Sequence, residues 1–477
     1  MKNDNFENKK IAILGLGIEG IALANYLSKK SDDITLLDQN IEEELLAKAP
    51  EGIKDLLSNE KFSKNLGDQY LSDLKSFDII FRSPGIPFLN DKIQEALESG
   101  VEISSQIKLF FHLCPSPIIG VTGTKGKGTT ASLILEMLNN SDSDRKVYLA
   151  GNIGEPAIKF VDNIKRSDVV ILELSSFQLQ DLDISPHIAV ITNLSSDHLD
   201  YHKDTEEYRR AKEPIAKYQK HSDFAVVNQD YLTAFELVSN TDGKVLYFSG
   251  KNSVDQGAYV RKCQISNSKC QKNDKAYEVV LRMNDKEEVI CRSDEVKLVG
   301  KHNLENIAAA AVAAFLSQAS IENIRDGAKK FNPLPHRLEF VSEIDGKKFY
   351  NDSFATNPEP TMAAIDSFAE DKILILGGSS KGADFSTLAE KISASNVSGV
   401  ILIGDESESI NSSLKNINYS GHVIEAGHDL ILAISESLRI AKPNDIIIFS
   451  PACASFDMFK NYKDRGNKFK EAVIKIK

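Results

Sequence analysis

Two glycine-rich stretches are the parts of this sequence best suited to hold phosphate. One reads Gly123-Thr124-Lys125-Gly126-Lys127-Gly128-Thr129-Thr130 and lies between an apolar run and a helical pattern. Glycines let backbone amides close on an anion, Lys127 adds a positive charge, and Thr129 or Thr130 offers a hydroxyl to a phosphate-bound metal, a set that suits a triphosphate. The Walker spacing is incomplete because Val121 fills the slot of its first glycine, so a glycine-rich packing turn stays open on these residues alone. The other stretch, Gly15-Leu16-Gly17-Ile18-Glu19-Gly20, has the G-x-G-x-x-G spacing, and Asp38 ends the next apolar run, where a ribose-binding carboxylate would sit. That turn fits a nucleotide diphosphate, NAD among them, or a tight turn with no ligand. Two such turns in one chain argue against a simple dehydrogenase.

Three further side chains have chemical potential. Glu173 ends the run Val169 to Leu174 and is followed by Ser175-Ser176-Phe177-Gln178. A carboxylate at the end of a buried strand costs free energy unless it is paired or metal-bound. His198 lies in Ser196-Asp197-His198-Leu199-Asp200, and Lys212 in Arg209-Arg210-Ala211-Lys212-Glu213. Spacing alone equally allows a cap or ion pair, a polar loop histidine and a solvated helix lysine.

The elements that must position these residues alternate. Lys10 to Leu14, Ile34 to Leu37 and Asp78 to Phe81 read as strands, with a helix over Gly20 to Lys29. Past Pro115-Ser116-Pro117 a strand, Ile118 to Val121, feeds the second glycine turn and a helix from about Thr129 to Leu138; Val169 to Leu174, Ile188 to Thr192 and Phe224 to Val227 are further strands. Residues 243 to 299 are short, polar and β-like, with the turn signal Asn284-Asp285, and predict a small antiparallel appendage. Asn332-Pro333-Leu334-Pro335 stiffens a second boundary, beyond which Lys372 to Leu376, Gly399 to Ile403 and Asp445 to Phe449 resume the pattern. The expected fold is α/β with mainly parallel sheets, in three domains over 1–114, 115–334 and 335–477.

Composition bounds the class. Of 477 residues, 42% are hydrophobic and 26% charged, and the net charge of −12 disfavours nucleic acid or anionic membrane as a general partner. Met1 to Lys10 has no apolar signal core, and Ile307 to Leu316 is about half the length of a membrane span. Cys114, Cys263, Cys270, Cys291 and Cys453 form no C-x-x-C pair and read as free thiols of a cytoplasmic protein.

At these motifs the chain resembles the Mur ligase family over nearly its whole length. The glycine turn at 123–130, Gly151-Asn152-Ile153-Gly154, Glu173 to Gln178, Gly300-Lys301-His302-Asn303 with Asn306, Pro335 to Glu339 and Asn351-Asp352-Ser353 stand in family order. Ser83-Pro84-Gly85-Ile86, Lys381 to Phe385, Ser450 to Ser455, Lys460-Asn461-Tyr462 and Arg465-Gly466 resemble its glutamate-adding branch. The D-N-P-R stretch of the diamino-acid-adding branch is absent.

The resemblance implies an N-terminal Rossmann-like domain for UDP-N-acetylmuramoyl-L-alanine, a central P-loop-type ATPase domain and a Rossmann-like C-terminal domain. It recasts Gly15, Gly17, Gly20 and Asp38 as a UDP-diphosphate site, with Ser83, Pro84, Gly85, Asn152 and Ser175 along the precursor. ATP is expected between the central and last domains, held by Gly123, Thr124, Lys125, Gly126, Lys127, Gly128, Thr129, Thr130, Asn303, Asn306, Arg337 and Asp352. Two Mg²⁺ ions would lie near Thr129, Glu173, His198 and Lys212, the last as a carbamate formed with carbon dioxide. Lys127, Lys212, His198 and Glu173 are the catalytic set. Thr356, Lys381, Ser455 and Tyr462 would hold D-glutamate, with L-glutamate as the alternative. The implied reaction passes through an acyl phosphate and yields ADP and phosphate, in a cytoplasmic monomer. Two positions depart from the pattern: Gly128 stands where serine or threonine is usual, and Phe354 where N-D-S-K-A-T-N has lysine. A folylpolyglutamate synthase and a non-catalytic nucleotide-binding regulator are the competing readings.

Overall fold

Apolar runs of four to seven residues form the sheet centres. The computed structural model describes residues 6–48, 50–139, 144–194, 204–263, 276–380 and 382–476. Among these the strands make three sheets of five, nine and six strands, each with parallel pairing at its centre. The first sheet contains β1 Ile11–Leu14, β2 Ile34–Asp38, β3 Phe62–Leu66, β4 Ile79–Arg82 and β5 Glu102–Ser104, ordered β3-β2-β1-β4-β5. Its chain order reverses between β1 and β4, so the crevice beyond their carboxyl ends is the place for a ligand. The first glycine turn leaves β1 at that place.

The second sheet is built on β6 Ile118–Thr122, β7 Val147–Gly151, β8 Val169–Glu173, β9 Ile188–Ile191, β10 Phe224–Asn228 and β11 Lys244–Ser249. It continues through β12 Gly257–Lys262, β13 Tyr277–Met283 and β14 Lys286–Arg292, in the order β14-β13-β12-β11-β10-β9-β6-β8-β7. β6 is buried along its whole length between β8 and β9. The stretch read as an appendage is continuous with this sheet. β11 pairs in parallel with both β10 and β12, and only β12 to β14 are antiparallel. Asn284 and Asp285, both at positive φ, close the hairpin between β13 and β14.

The third sheet, β15 Glu339–Ile344, β16 Lys347–Asn351, β17 Lys372–Gly377, β18 Val397–Ile403, β19 His422–Glu425 and β20 Ile446–Phe449, runs β15-β16-β20-β17-β18-β19. It opens with an antiparallel hairpin whose Asp345-Gly346 turn also has positive φ at both residues. The rest is parallel, and its order reverses between β17 and β20.

Met1–Glu295 with Leu304–Lys329 forms one compact unit, and Val296–Asn303 with Lys330–Lys477 a second. Within the first, one apolar cluster runs continuously from Ile11, Ile13 and Phe81 of the first sheet to Val170, Leu172 and Ile191 of the second. Arg82 and Asp181 cross the same junction as a fully buried ion pair at 3.3 Å. Each of the last sheet's two faces carries its own apolar cluster, one containing Leu374 and Ile448, the other Ile375 and Ile447.

Candidate functional site

The central glycine turn joins β6 to the helix Lys127–Asn139. Neighbours brace it. Asn193 Oδ1 accepts from the amides of Thr124 at 3.1 Å and Lys125 at 2.8 Å, while Thr192 Oγ1 donates to Lys125 O at 2.6 Å. Gly126 has φ +84°, and a Cβ there would lie 2.4 Å from Asn306 Oδ1, so the turn comes close to that side chain only because it is glycine. Thr130 Oγ1 donates to the same Asn306 oxygen at 3.3 Å. Lys127 folds back over its own turn, with Nζ donating to Gly123 O at 2.9 Å and Thr124 O at 3.0 Å. The ammonium is thereby held against two carbonyls of its own turn.

Two other expected residues arrive at this turn from distant parts of the chain. Lys212 ends the helix Thr205–Lys212 and is 1% exposed, with Nζ donating to Thr122 Oγ1 at 3.1 Å and lying 3.4 Å from Gly123 O. The ring of Tyr208, one helical turn earlier, lies 4.9 Å from that ammonium. Glu173 is buried at the end of β8, level with Val121 on β6, and its Oε1 accepts from Asn152 Nδ2 at 3.1 Å. The buried Thr129 hydroxyl and the Glu173 carboxylate are hard oxygen donors of the kind Mg²⁺ takes. His198 lies outside the described residues.

The first glycine turn is held by a different set. Asp38 Oδ2 accepts from Leu16 N at 2.8 Å, and Ser83 Oγ donates to Gly15 O at 2.8 Å. Asp38 therefore holds the turn itself. A Cβ at Gly20 would fall 2.0 Å from Gly15 O, so the helix Ile18–Leu27 can start this close to β1 only with glycine there. Glu19 points to the helix Ser176–Leu179, where its Oε1 accepts from Gln178 Nε2 at 2.7 Å. Burial raises the Glu19 carboxyl to about 7, although the hydrogen bond from Gln178 and the nearby Arg82 pull the other way. Ser175 caps the helix Ser176–Leu179 in a reciprocal box with Gln178. Glu19, Gln178 and Ser175 thus form one chain of contacts from the first turn to the segment after Glu173.

In the second unit, Asp352 is buried and accepts from Leu338 N at 3.2 Å and Ser450 Oγ at 2.7 Å; burial raises it to about 7 against those bonds. Arg337 lies on the face of Phe354, which meets Tyr462 edge-on. Arg465 is buried and donates to Ser353 Oγ and O, Cys453 O and Ala454 O at 2.8 to 3.0 Å. It ties the segment after β16 to the loop carrying the buried Ser455. Asn303 donates to Val299 O at 2.7 Å. Thr356 is half-buried on the segment after Asp352, and Lys381 lies outside the described residues.

The Mur ligase middle domain matches residues 121–314, the Mur ligase glutamate ligase domain residues 336–453, and the Mur ligase MurD-like N-terminal domain residues 9–105. The chain belongs to the Mur ligase family. Among curated relatives of this Mur ligase, one from Acetivibrio thermocellus is 40% identical over 98% of this chain and 97% of its own length. Another, from Clostridium kluyveri, is 38% identical over 98% and 96%. Both are named UDP-N-acetylmuramoylalanine--D-glutamate ligase. The crystal structure of MurF ligase from Thermotoga maritima in complex with ADP aligns with a TM-score of 0.60 at 16% identity, covering 98% of this chain and 95% of that one, a likeness of fold.

Several residues that shape this Mur ligase's turns escape a reading of the sequence. Thr192 and Asn193 follow an apolar strand and look like an ordinary strand end. Thr122, which receives Lys212, lies just before the glycine motif. Asp181 has no motif, and Arg82 was readable only as a charge ending an apolar run. Their roles depend on partners 67 to 99 positions away.

Proposed function

We propose that this Mur ligase joins D-glutamate to UDP-N-acetylmuramoyl-L-alanine with cleavage of ATP to ADP and phosphate, as a UDP-N-acetylmuramoylalanine--D-glutamate ligase. The observation that carries the reading is the convergence of Lys127 and the buried Lys212 on Thr122, Gly123 and Thr124, beside the strand that ends in Glu173. A carboxylate is a poor acyl donor. Phosphorylating it brings two anions together, so the step needs fixed positive charge. Lys127 supplies that charge at the turn, and bound Mg²⁺ would supply the rest by polarising phosphate oxygens. Glutamate's amine then displaces phosphate from the acyl phosphate, leaving the amide, ADP and inorganic phosphate.

The roles follow the three domains, which we divide at 1–114, 115–334 and 335–477. Gly15, Gly17, Gly20, Asp38, Ser83, Pro84, Gly85, Asn152 and Ser175 serve the precursor, and Asp38 acts by fixing the turn. Residues 123–130 with Asn303, Asn306, Arg337 and Asp352 serve ATP. Thr129, Glu173 and His198 serve two Mg²⁺ ions, joined by Lys212 as its carbamate; an electron-density map with Mg²⁺ bound and a plain amine at Lys212 would remove that last role. Thr356, Lys381, Ser455 and Tyr462 serve glutamate. We place the enzyme in the cytoplasm as a monomer; no helix among the described residues is long and apolar enough to cross a membrane.

The test is phosphate release by the purified protein with UDP-N-acetylmuramoyl-L-alanine, Mg²⁺ATP and, separately, D- and L-glutamate. Release that requires both precursor and D-glutamate is expected. Turnover with L-glutamate alone would change the amino acid assigned, and no release with either would remove the ligase reading.

A further inference from the structure

Arg337 sits on an unusual piece of backbone. Its neighbours His336 and Leu338 both have positive φ, +66° and +46°, a conformation that non-glycine residues adopt at a cost of about 1–3 kcal/mol each. The surroundings fix that shape. Phe354 N donates to His336 O at 3.0 Å, Leu338 N to Asp352 Oδ1 at 3.2 Å, and His336 N to Glu339 Oε2 at 2.9 Å. A strained loop held in this way delivers one side chain to one place. That side chain is a guanidinium whose central carbon lies 3.7 Å from the centroid of the Phe354 ring.

The ring is itself fixed. Tyr462 meets it edge-on, with centroids 4.9 Å apart and planes at 85°, and His336 stands edge-on to Tyr462 at 6.1 Å. Ser353, the residue before the ring, is held by Arg465 through both its hydroxyl and its carbonyl. A guanidinium seated against an aromatic face is restricted in its rotamers by that contact. That arrangement suits bidentate recognition of a phosphate or carboxylate.

We propose that Phe354 is a positioning residue for nucleotide phosphate: its ring seats the Arg337 guanidinium, so that the fork is ordered before ATP binds. The proposal rests on the assignment of Arg337 to the phosphates of ATP. Ordering a rotamer-rich side chain in advance removes part of the entropy lost on binding.

The test compares Phe354→Leu, Phe354→Met, Phe354→Tyr, Arg337→Ala and the double variant Arg337→Ala/Phe354→Leu. The readouts are KM for Mg²⁺ATP, kcat, KM for glutamate, calorimetric Kd for ADP and the thermal midpoint. Phe354→Leu and Phe354→Met are expected to raise the ATP KM about tenfold with a smaller change in kcat, and Phe354→Tyr, which keeps the ring face, to stay within about twofold of the parent. The double variant is expected to be no worse than Arg337→Ala, because both changes remove the same interaction. A folded Phe354→Leu protein with the parent's ATP KM and ADP Kd would overturn the proposal, as would effects that multiply in the double variant. If Arg337→Ala leaves ATP and ADP binding unchanged, the phosphate assignment of Arg337 fails and this proposal with it. A loss of thermal stability with unchanged KM reduces Phe354 to a structural ring.

Discussion

The two glycine-rich turns follow the same local plan, a buried parallel strand, a turn and a helix, yet they differ in the charge they carry. The turn after β6 carries Lys125 and Lys127, and the lysine it receives from another helix, Lys212, is the one assigned above to a carbamate and adds no positive charge in that form. The turn after β1 carries no lysine, and its nearest acids are Asp38, which props it, and Glu19, which leaves it for Gln178. A diphosphate that is only bound needs backbone amides and a helix N-terminus. A phosphoryl group that is transferred needs charge fixed in advance where negative charge builds up. On the function proposed above, the lysines of the central turn separate a reacting site from a holding one.

The largest test of that contrast is Lys127→Ala. Ligation is expected to fall some hundreds-fold, equivalent to about 3–4 kcal/mol, with the fold and the precursor's affinity unchanged. Steady-state kinetics and a thermal melt decide it, and near-parental turnover would reduce the central turn to a second holding site.

A smaller effect should mark the first turn. In Gly20→Ala the new methyl meets Gly15 O, a backbone atom that cannot swing aside. We expect a loss of about 1–3 kcal/mol in stability and a raised precursor KM, with the ATP KM unmoved. An equal rise in both would mean that the two turns act as one.

The smallest effect concerns Glu19. Its folded carboxyl stands at about 7, above the ordinary 4.5, because burial penalises its charged form. The groups facing it are Gln178, Arg82 and Asp181. The protonated acid's contribution to stability is therefore complete below pH 4.5 and is lost as pH rises to about 7. Over that range the melting temperature of the parent should decline relative to Glu19→Gln, which cannot ionise. Parallel curves for the two proteins would show that Glu19 titrates normally.

Much of the architecture could be read along the chain, because four- to seven-residue apolar runs fit only strands buried on both faces. Polar edge strands could not be read that way: β3, Phe-Ser-Lys-Asn-Leu, and β19, His-Val-Ile-Glu, lie at sheet edges where water replaces one neighbour. The hairpin of β15 and β16 left a legible sign, Asp345-Gly346, but its strands are amphipathic and carry charges.

The sequence by itself determined the glycine turns, the strands that feed them and the residue types able to carry charge, since each depends on neighbours a few positions away. Folding decided the rest. Only the parallel pairing of β6 with β8 puts Glu173 on the strand next to the glycine turn, and only the return of the helix Thr205–Lys212 lays Lys212 against Thr122. Likewise the choice of Asn193 as a brace, Asp38 as a prop and Phe354 as the seat of Arg337 follows from contacts between residues 17 to 69 positions apart. A local pattern cannot encode such choices, because burial and hydrogen-bond partners are set by whichever distant segment closes over each residue.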